Sequence, residues 1–181
     1  MNSTDHYQVA SNKSLQLRYK KTLRFVTQSA RPPLRILDLG TPNPFSEILA
    51  ARGFEVINTR GEDLDEHPEV VSSYQTELVT AFEIFEHLLN PLDVLKALPA
   101  NRLMATVPLS LWFAKAYRSK TDPWDRHFHE FEDWQFDWLL EKSGWQIVRR
   151  EKWTSPVYQI GVRPLLRSLI PRYYAIEAIR R

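Results

Sequence analysis

Apolar positions along this chain follow two alternating rhythms. Leu15, Tyr19, Leu23 and Val26 fall three or four apart, the spacing of a helix that buries one face. Arg31-Pro32-Pro33 ends that stretch, because consecutive prolines fix φ and remove amide donors. Leu34 to Gly40 reads as a buried strand closing on Asp38-Leu39-Gly40. Phe45 to Arg52 has helical composition, Gly53 stands where a C-terminal cap belongs, and Phe54 to Ile57 is a second short strand. Strand, turn, helix, glycine and strand in that order begin a parallel sheet.

The alternation continues. Leu78 to Phe82 is a strand, and Asn90 caps a helix whose first residue is Pro91. Leu103 to Val107 is a strand stopped by Pro108. Phe136, Leu139 and Leu140 mark a helix that closes at Gly144. Trp145 to Val148 is a further strand, and Tyr173 to Ile179 the last. The pattern predicts one doubly wound α/β domain with a mostly parallel sheet and helices on both faces. An N-terminal helix over 1–33 precedes a core over 34–153 and a basic apolar tail over 154–181 that ends in a strand. The stretch from Arg60 to Leu78 is too short for a full helix and strand, so part of the third-strand unit is expected to be missing.

Two segments have open assignments. Leu109, Trp112, Phe113, Ala116 and Tyr117 have the spacing of an apolar helical face, either packed on the sheet or serving as a lid over a hydrophobic substrate. Ile160 to Ile170 mixes apolar residues with Arg163 and Arg167, as a connecting helix or one resting on an anionic membrane surface.

Composition narrows the chemistry. The 181 residues suit one domain, and the absence of cysteine excludes disulfides, thiolate catalysis and cysteine-ligated zinc. No apolar run approaches the roughly 20 residues of a membrane span, and Met1 to His6 lack a secretory stretch, so a cytoplasmic location is the default. A net charge of +2 gives no electrostatic case for a nucleic-acid partner.

Three motifs carry a resemblance. Ile36-Leu37-Asp38-Leu39-Gly40 ends a strand in acid-x-Gly. Leu78 to Leu88 holds Phe82-Glu83 and Glu86-His87 and runs on to Asn90-Pro91. His129-Glu130-Phe131 precedes a helix and Ser143-Gly144-Trp145. Over about Leu34 to Trp153 these resemble the class I S-adenosylmethionine-dependent methyltransferases, type 11-like, with the Rossmann-like fold. The resemblance implies S-adenosylmethionine as cofactor and methyl transfer to a small or lipid-like acceptor. It implies cofactor contacts from Asp38, Gly40, Thr41, Asn43 and Phe45 in the first turn, and from Phe82 and Glu83 after the family's fourth strand. Glu86-His87 would order the loop beneath.

The departures are specific. Pro42 and Pro44 occupy the second and third glycine positions of the family's loop. Asn58-Thr59-Arg60 stands where an acid usually binds the ribose, and Arg60 has no acceptor. Asp63 or Asp65 is the expected substitute beside Arg60. These changes leave open a non-catalytic methyltransferase-like domain that serves as a binding module. His129 is expected at the mouth of the pocket as general base, with His127 the second candidate and Trp124, His127 and Phe128 enclosing the acceptor. His127-x-His129 lacks further ligands in sequence, so no metal is expected there.

Overall fold

Asn12 opens the first helix, accepting from the amides of Ser14 and Leu15 at 3.1 Å each. The computed structural model describes residues 12–122, 125–156 and 161–181. Helix α1 (Lys13–Ser29) buries Thr22, Phe25 and Val26. Strand β1 (Arg35–Asp38) leads into helix α2 (Pro44–Ala50), followed by β2 (Glu55–Asn58). After β3 (Leu78–Phe82) come helix α3 (Pro91–Ala97) and β4 (Arg102–Pro108). Helix α4 (Asp133–Lys142), β5 (Trp145–Trp153), helix α5 (Val162–Leu169) and β6 (Tyr173–Arg180) complete the order.

The strands form one sheet in the order β2-β1-β3-β4-β6-β5. The first four are parallel, and β6 lies antiparallel between β4 and β5. Successive residues of a strand face opposite sides. Thus Leu78 and Met104 join the layer of Phe25, Ile36 and Leu49, while Val79 and Leu103 join the layer of Leu95, Phe136 and Trp145. The expected doubly wound α/β architecture is what the chain adopts.

The third-strand unit is reduced, as expected: Pro68–Ser73 forms a short 3₁₀ helix packed on α3. Several other expectations are corrected. Asn90 occupies the N-cap position of α3, but its side chain donates to Asp93 at 2.6 Å and caps no amide. The apolar stretch after β4 is not a helix. Leu109 pairs with Phe131 and donates to the Arg172 carbonyl, so the chain prolongs the sheet and then turns. Leu109 and Leu111 are buried there, whereas Trp112 is 79% exposed. Strand β5 runs five residues beyond Val148, with a bulge between Ile147 and Arg149. Helix α5 leaves Val162, Leu165 and Leu169 exposed, and Ile160 lies outside the described residues. Among the described residues no helix is long and apolar enough to cross a membrane.

Glu177 of β6 ties α1 to the sheet. Its carboxylate accepts from Arg102 at 2.6 Å, from Arg149 at 2.8 Å and from the Ser29 hydroxyl at 2.7 Å. Arg149 also donates to the Phe25 carbonyl and covers the Phe25 ring at 3.7 Å. Burial alone would raise the Glu177 carboxyl, but these donors outweigh it and hold the group below its ordinary value. The unfolded chain therefore takes up this proton at higher pH than the folded one. The stabilisation is full above the ordinary glutamate range and is lost as pH falls through the folded value. Glu177→Gln leaves two guanidinium groups facing each other uncompensated and is expected to cost about 2–4 kcal/mol at neutral pH. In urea titrations the gap between parent and variant should narrow below about pH 4.3. A gap independent of pH would remove the carboxylate's charge from the account.

Candidate functional site

The end of β1 is organised around Asp38, which is 3% exposed. Its Oδ1 accepts from the Thr80 hydroxyl of β3 at 2.6 Å. Its Oδ2 accepts from Ser46 at 3.0 Å, Asn43 at 3.2 Å and Asn58 at 3.3 Å. Burial pushes this carboxyl up, and the four donors pull against it. The next turn depends on Gly40, whose φ of 98° suits glycine, with its amide on the Thr59 hydroxyl at 2.8 Å. Pro44 is the first residue of α2, where no intrahelical amide is needed.

Past the C-terminal ends of β1, β3 and β4 lies a cavity of ≈ 450 Å³. Tyr19 of α1, Phe45 and Phe82 form an aromatic series along its wall, with ring centres 5.2 Å apart at each step. Glu83 follows with φ of 60°, a left-handed conformation costly for a residue with a side chain. Its amide donates to the Thr106 carbonyl, its Oε1 accepts from the Thr106 hydroxyl, and Arg18 reaches its Oε2 at 3.5 Å. Strain is held there by contacts from β4 and α1.

Deeper on the same wall, the 3₁₀ turn Phe85–His87 places Glu86 at 1% exposure, with no hydrogen-bond partner among the described residues on either carboxylate oxygen. Burial first, and the neighbouring Glu83 charge second, hold this carboxyl well above the ordinary range. His87 Nδ1 faces the Arg126 carbonyl at 2.9 Å, and His127 Nδ1 faces Glu130 Oε1 at 2.8 Å. Burial, reinforced by His127, lowers the His87 pKa. The two rings meet edge-on, 5.0 Å apart.

The cavity gathers Asp38, Asn43, Phe45, Phe82, Glu83 and His127 of the residues expected from sequence. It does not gather the rest. Gly40 and Thr41 shape the turn beside it, and Arg60 is exposed, its amide on Glu62. Asp63 caps the amides of Asp65 and Glu66, and Asp65 holds those of Leu89 and Asn90, so both candidate ribose acceptors are engaged locally. The placement of His129 at the pocket mouth is corrected. The amides of Phe128 and His129 both donate to the Glu86 carbonyl, and the chain bends at Phe128. His127 thereby enters the cavity, while Phe128 and His129 face a separate groove, where the His129 ring stacks on Phe131. Trp124 lies outside the described residues. Sequence reasoning missed Arg18 and Tyr19 of α1 as cavity residues, and Arg172 and Tyr173 at the start of β6. Tyr19 carried a signal of helical spacing, whereas Arg172 and Tyr173 carried none beyond their place at a strand start.

The sequence matches no protein-family model, and no curated protein sequence matches it. In structure the chain is similar to a SAM-dependent methyltransferase from Archaeoglobus fulgidus, at 18% identity and a TM-score of 0.64, over 99% of this chain and 100% of that one. It is also similar to the 1,6-didemethyltoxoflavin-N1-methyltransferase of Burkholderia thailandensis, solved with 1,6-didemethyltoxoflavin and S-adenosylhomocysteine bound. That likeness has 14% identity and a TM-score of 0.61 over 98% of this chain and 84% of the other. A SAM-dependent methyltransferase from Aquifex aeolicus shares 14% identity at a TM-score of 0.59, with both chains covered completely. The fold is that of the class I SAM-dependent methyltransferases.

Because four side chains converge on Asp38, its loss should be felt first as stability. Asp38→Ala strands donors from β2, β3 and the α2 cap, and is expected to cost about 2–4 kcal/mol in chemical denaturation. Asp38→Asn keeps the shape but turns an amide toward those donors and should recover less than half of the loss. A cost below about 0.5 kcal/mol for Asp38→Ala would show that the turn holds without it.

Proposed function

We propose that this chain transfers a methyl group from S-adenosylmethionine to a small or lipid-like acceptor. The observation that carries this reading is the cavity at the ends of β1, β3 and β4, with an aromatic wall on one side and a fixed carboxylate beside it. In open α/β sheets, ligands bind outside the carboxyl ends of the strands. Its ≈ 450 Å³ falls within the usual range for small-molecule sites. S-Adenosylmethionine supplies an activated methyl on a positively charged sulfur.

The residues fit its parts. Phe45 and Phe82, in edge-to-face contact, offer a flat apolar slot for a purine. Arg18 offers donors to a carboxylate, and Glu83 offers an acceptor and a compensating charge. His127 presents its Nε2 to an acceptor hydroxyl or amine, while Glu130 orients the ring through Nδ1. Enclosure by Tyr19, Tyr117 and Tyr173 would limit water. A lipid-like acceptor is supported by α5, where Val162, Leu165 and Leu169 are exposed beside Arg163 and Arg167. A cytoplasmic location belongs to the same reading.

A second reading, a non-catalytic binding module, draws on two observations. Asp38 is saturated by internal donors, and the Asn58 amide is turned onto it in place of a ribose-binding acid. Calorimetry with S-adenosylhomocysteine separates the two. Methyl transfer predicts a dissociation constant on the order of 10–100 µM, weakened about tenfold by Phe82→Ala. No heat and no thermal shift at millimolar ligand would hand the site to the binding-module reading.

A further inference from the structure

We infer that Glu86, His87 and His127 form a binding site for one divalent transition-metal ion. One potential ligand atom from each lies within 4.8 Å of the other two, and His87 Nε2 stands 3.9 Å from Glu86 Oε1. Around an ion with bonds of about 2.1 Å, ligand atoms sit about 3–4 Å apart, so small side-chain rotations close the set.

Glu86 supplies the independent observation. Both its oxygens are buried and without a donor among the described residues, although its backbone carbonyl takes two amides. A buried carboxyl normally finds partners, and leaving one bare is costly. Arg18, Glu83 and Glu130 act on it only through space, and among the described residues none gives it a hydrogen bond, while the two imidazoles each bring a ligand atom within 4.8 Å.

The histidines are oriented as ligands are. A carbonyl can only accept, so His87 Nδ1 carries the proton toward Arg126. His127 Nδ1 donates to the Glu130 carboxylate in the same way. Each Nε2 thereby keeps its lone pair, and that of His87 lies on the side of Glu86, 3.9 Å from Oε1. Carbonyl and carboxylate partners behind the distal nitrogens are what metal-bound histidines commonly have. Glu130 is itself fixed, since it also accepts from the Tyr117 amide at 3.0 Å.

Two imidazoles and one carboxylate favour zinc, manganese, iron or cobalt over calcium or magnesium, which prefer oxygen alone. Three protein ligands leave a position open toward the cavity, where an oxygen or nitrogen of a second ligand can bind. The ion would use the lone pair that His127 otherwise offers to a proton. The site stands on its own donors and does not depend on methyl transfer.

The test uses the full chain, stripped with a chelator and studied without S-adenosylhomocysteine. Titration with Zn²⁺ and with Mn²⁺ should show one ion per chain at micromolar concentration, and Co²⁺ should give visible absorption bands. Glu86→Gln and His127→Ala should each weaken binding at least tenfold, and Glu130→Gln about tenfold through its hold on His127. His67→Ala, an exposed histidine paired with Glu69, should change nothing. Circular dichroism confirms that each variant is folded, and either ligand variant alone suffices. No stoichiometric binding up to millimolar ion, or full affinity in both Glu86→Gln and His127→Ala, overturns the site.

Discussion

A carboxylate withdrawn from water at the end of a strand must be met by donors, and the four side chains meeting Asp38 come from three places in the chain. Thr80 reaches across from β3, Asn58 from β2, and Asn43 and Ser46 from the cap of α2. The parallel strands β2, β1 and β3 are thus pinned at one end, where the cavity begins. The same knot explains how two prolines fit the first turn. Here α2 is approached through an asparagine cap reinforced by Asp38, and Pro44 falls where its missing amide goes unused. Only Gly40 keeps the conformational freedom that a glycine-rich loop would otherwise spread over several residues.

The buried strands were legible because both their faces are apolar and punctuation bounds them: Leu34–Leu39 before Gly40, Leu103–Val107 before Pro108. The last part of β5 was not. It lies at the sheet edge, and Arg149-Arg150-Glu151-Lys152 hides a strand whose alternate side chains face water or ion-pair partners. Helical spacing misled after β4, because the backbone from Leu109 finds partners in Arg172 and Phe131, which no local pattern announces. In the site, Asp38, Phe82 and Glu83 followed from strand ends. The choice between His127 and His129 did not, because it turns on one bend around the Glu86 carbonyl, a contact across forty residues.

The third-strand unit is reduced to a short 3₁₀ helix, yet the cavity wall on the β3 side is intact because it is braced from elsewhere. Glu83 adopts its strained conformation under the hold of Thr106 and Arg18, and three residues later Glu86 carries the segment of His127 on its backbone carbonyl. Strain and a buried, titration-shifted carboxyl gathered within four residues are uncommon in a segment whose role is packing alone. The Glu177 knot at the far end of the sheet keeps α1, and with it Arg18 and Tyr19, over that wall.

The position of β6 between β4 and β5 also sets an order of assembly. Among the described residues strand β5 has no sheet partner except β6, which follows it by some twenty residues, while β4 waits about seventy residues for its second neighbour. During synthesis the parallel half of the sheet can gather first, with one flank of β4 bare. That flank is an open template for another chain until Tyr173–Arg180 emerges and slides in. Final closure is therefore a late, non-local event, and the nascent chain should be most vulnerable to chaperones, proteases and aggregation in the interval before those eight residues arrive.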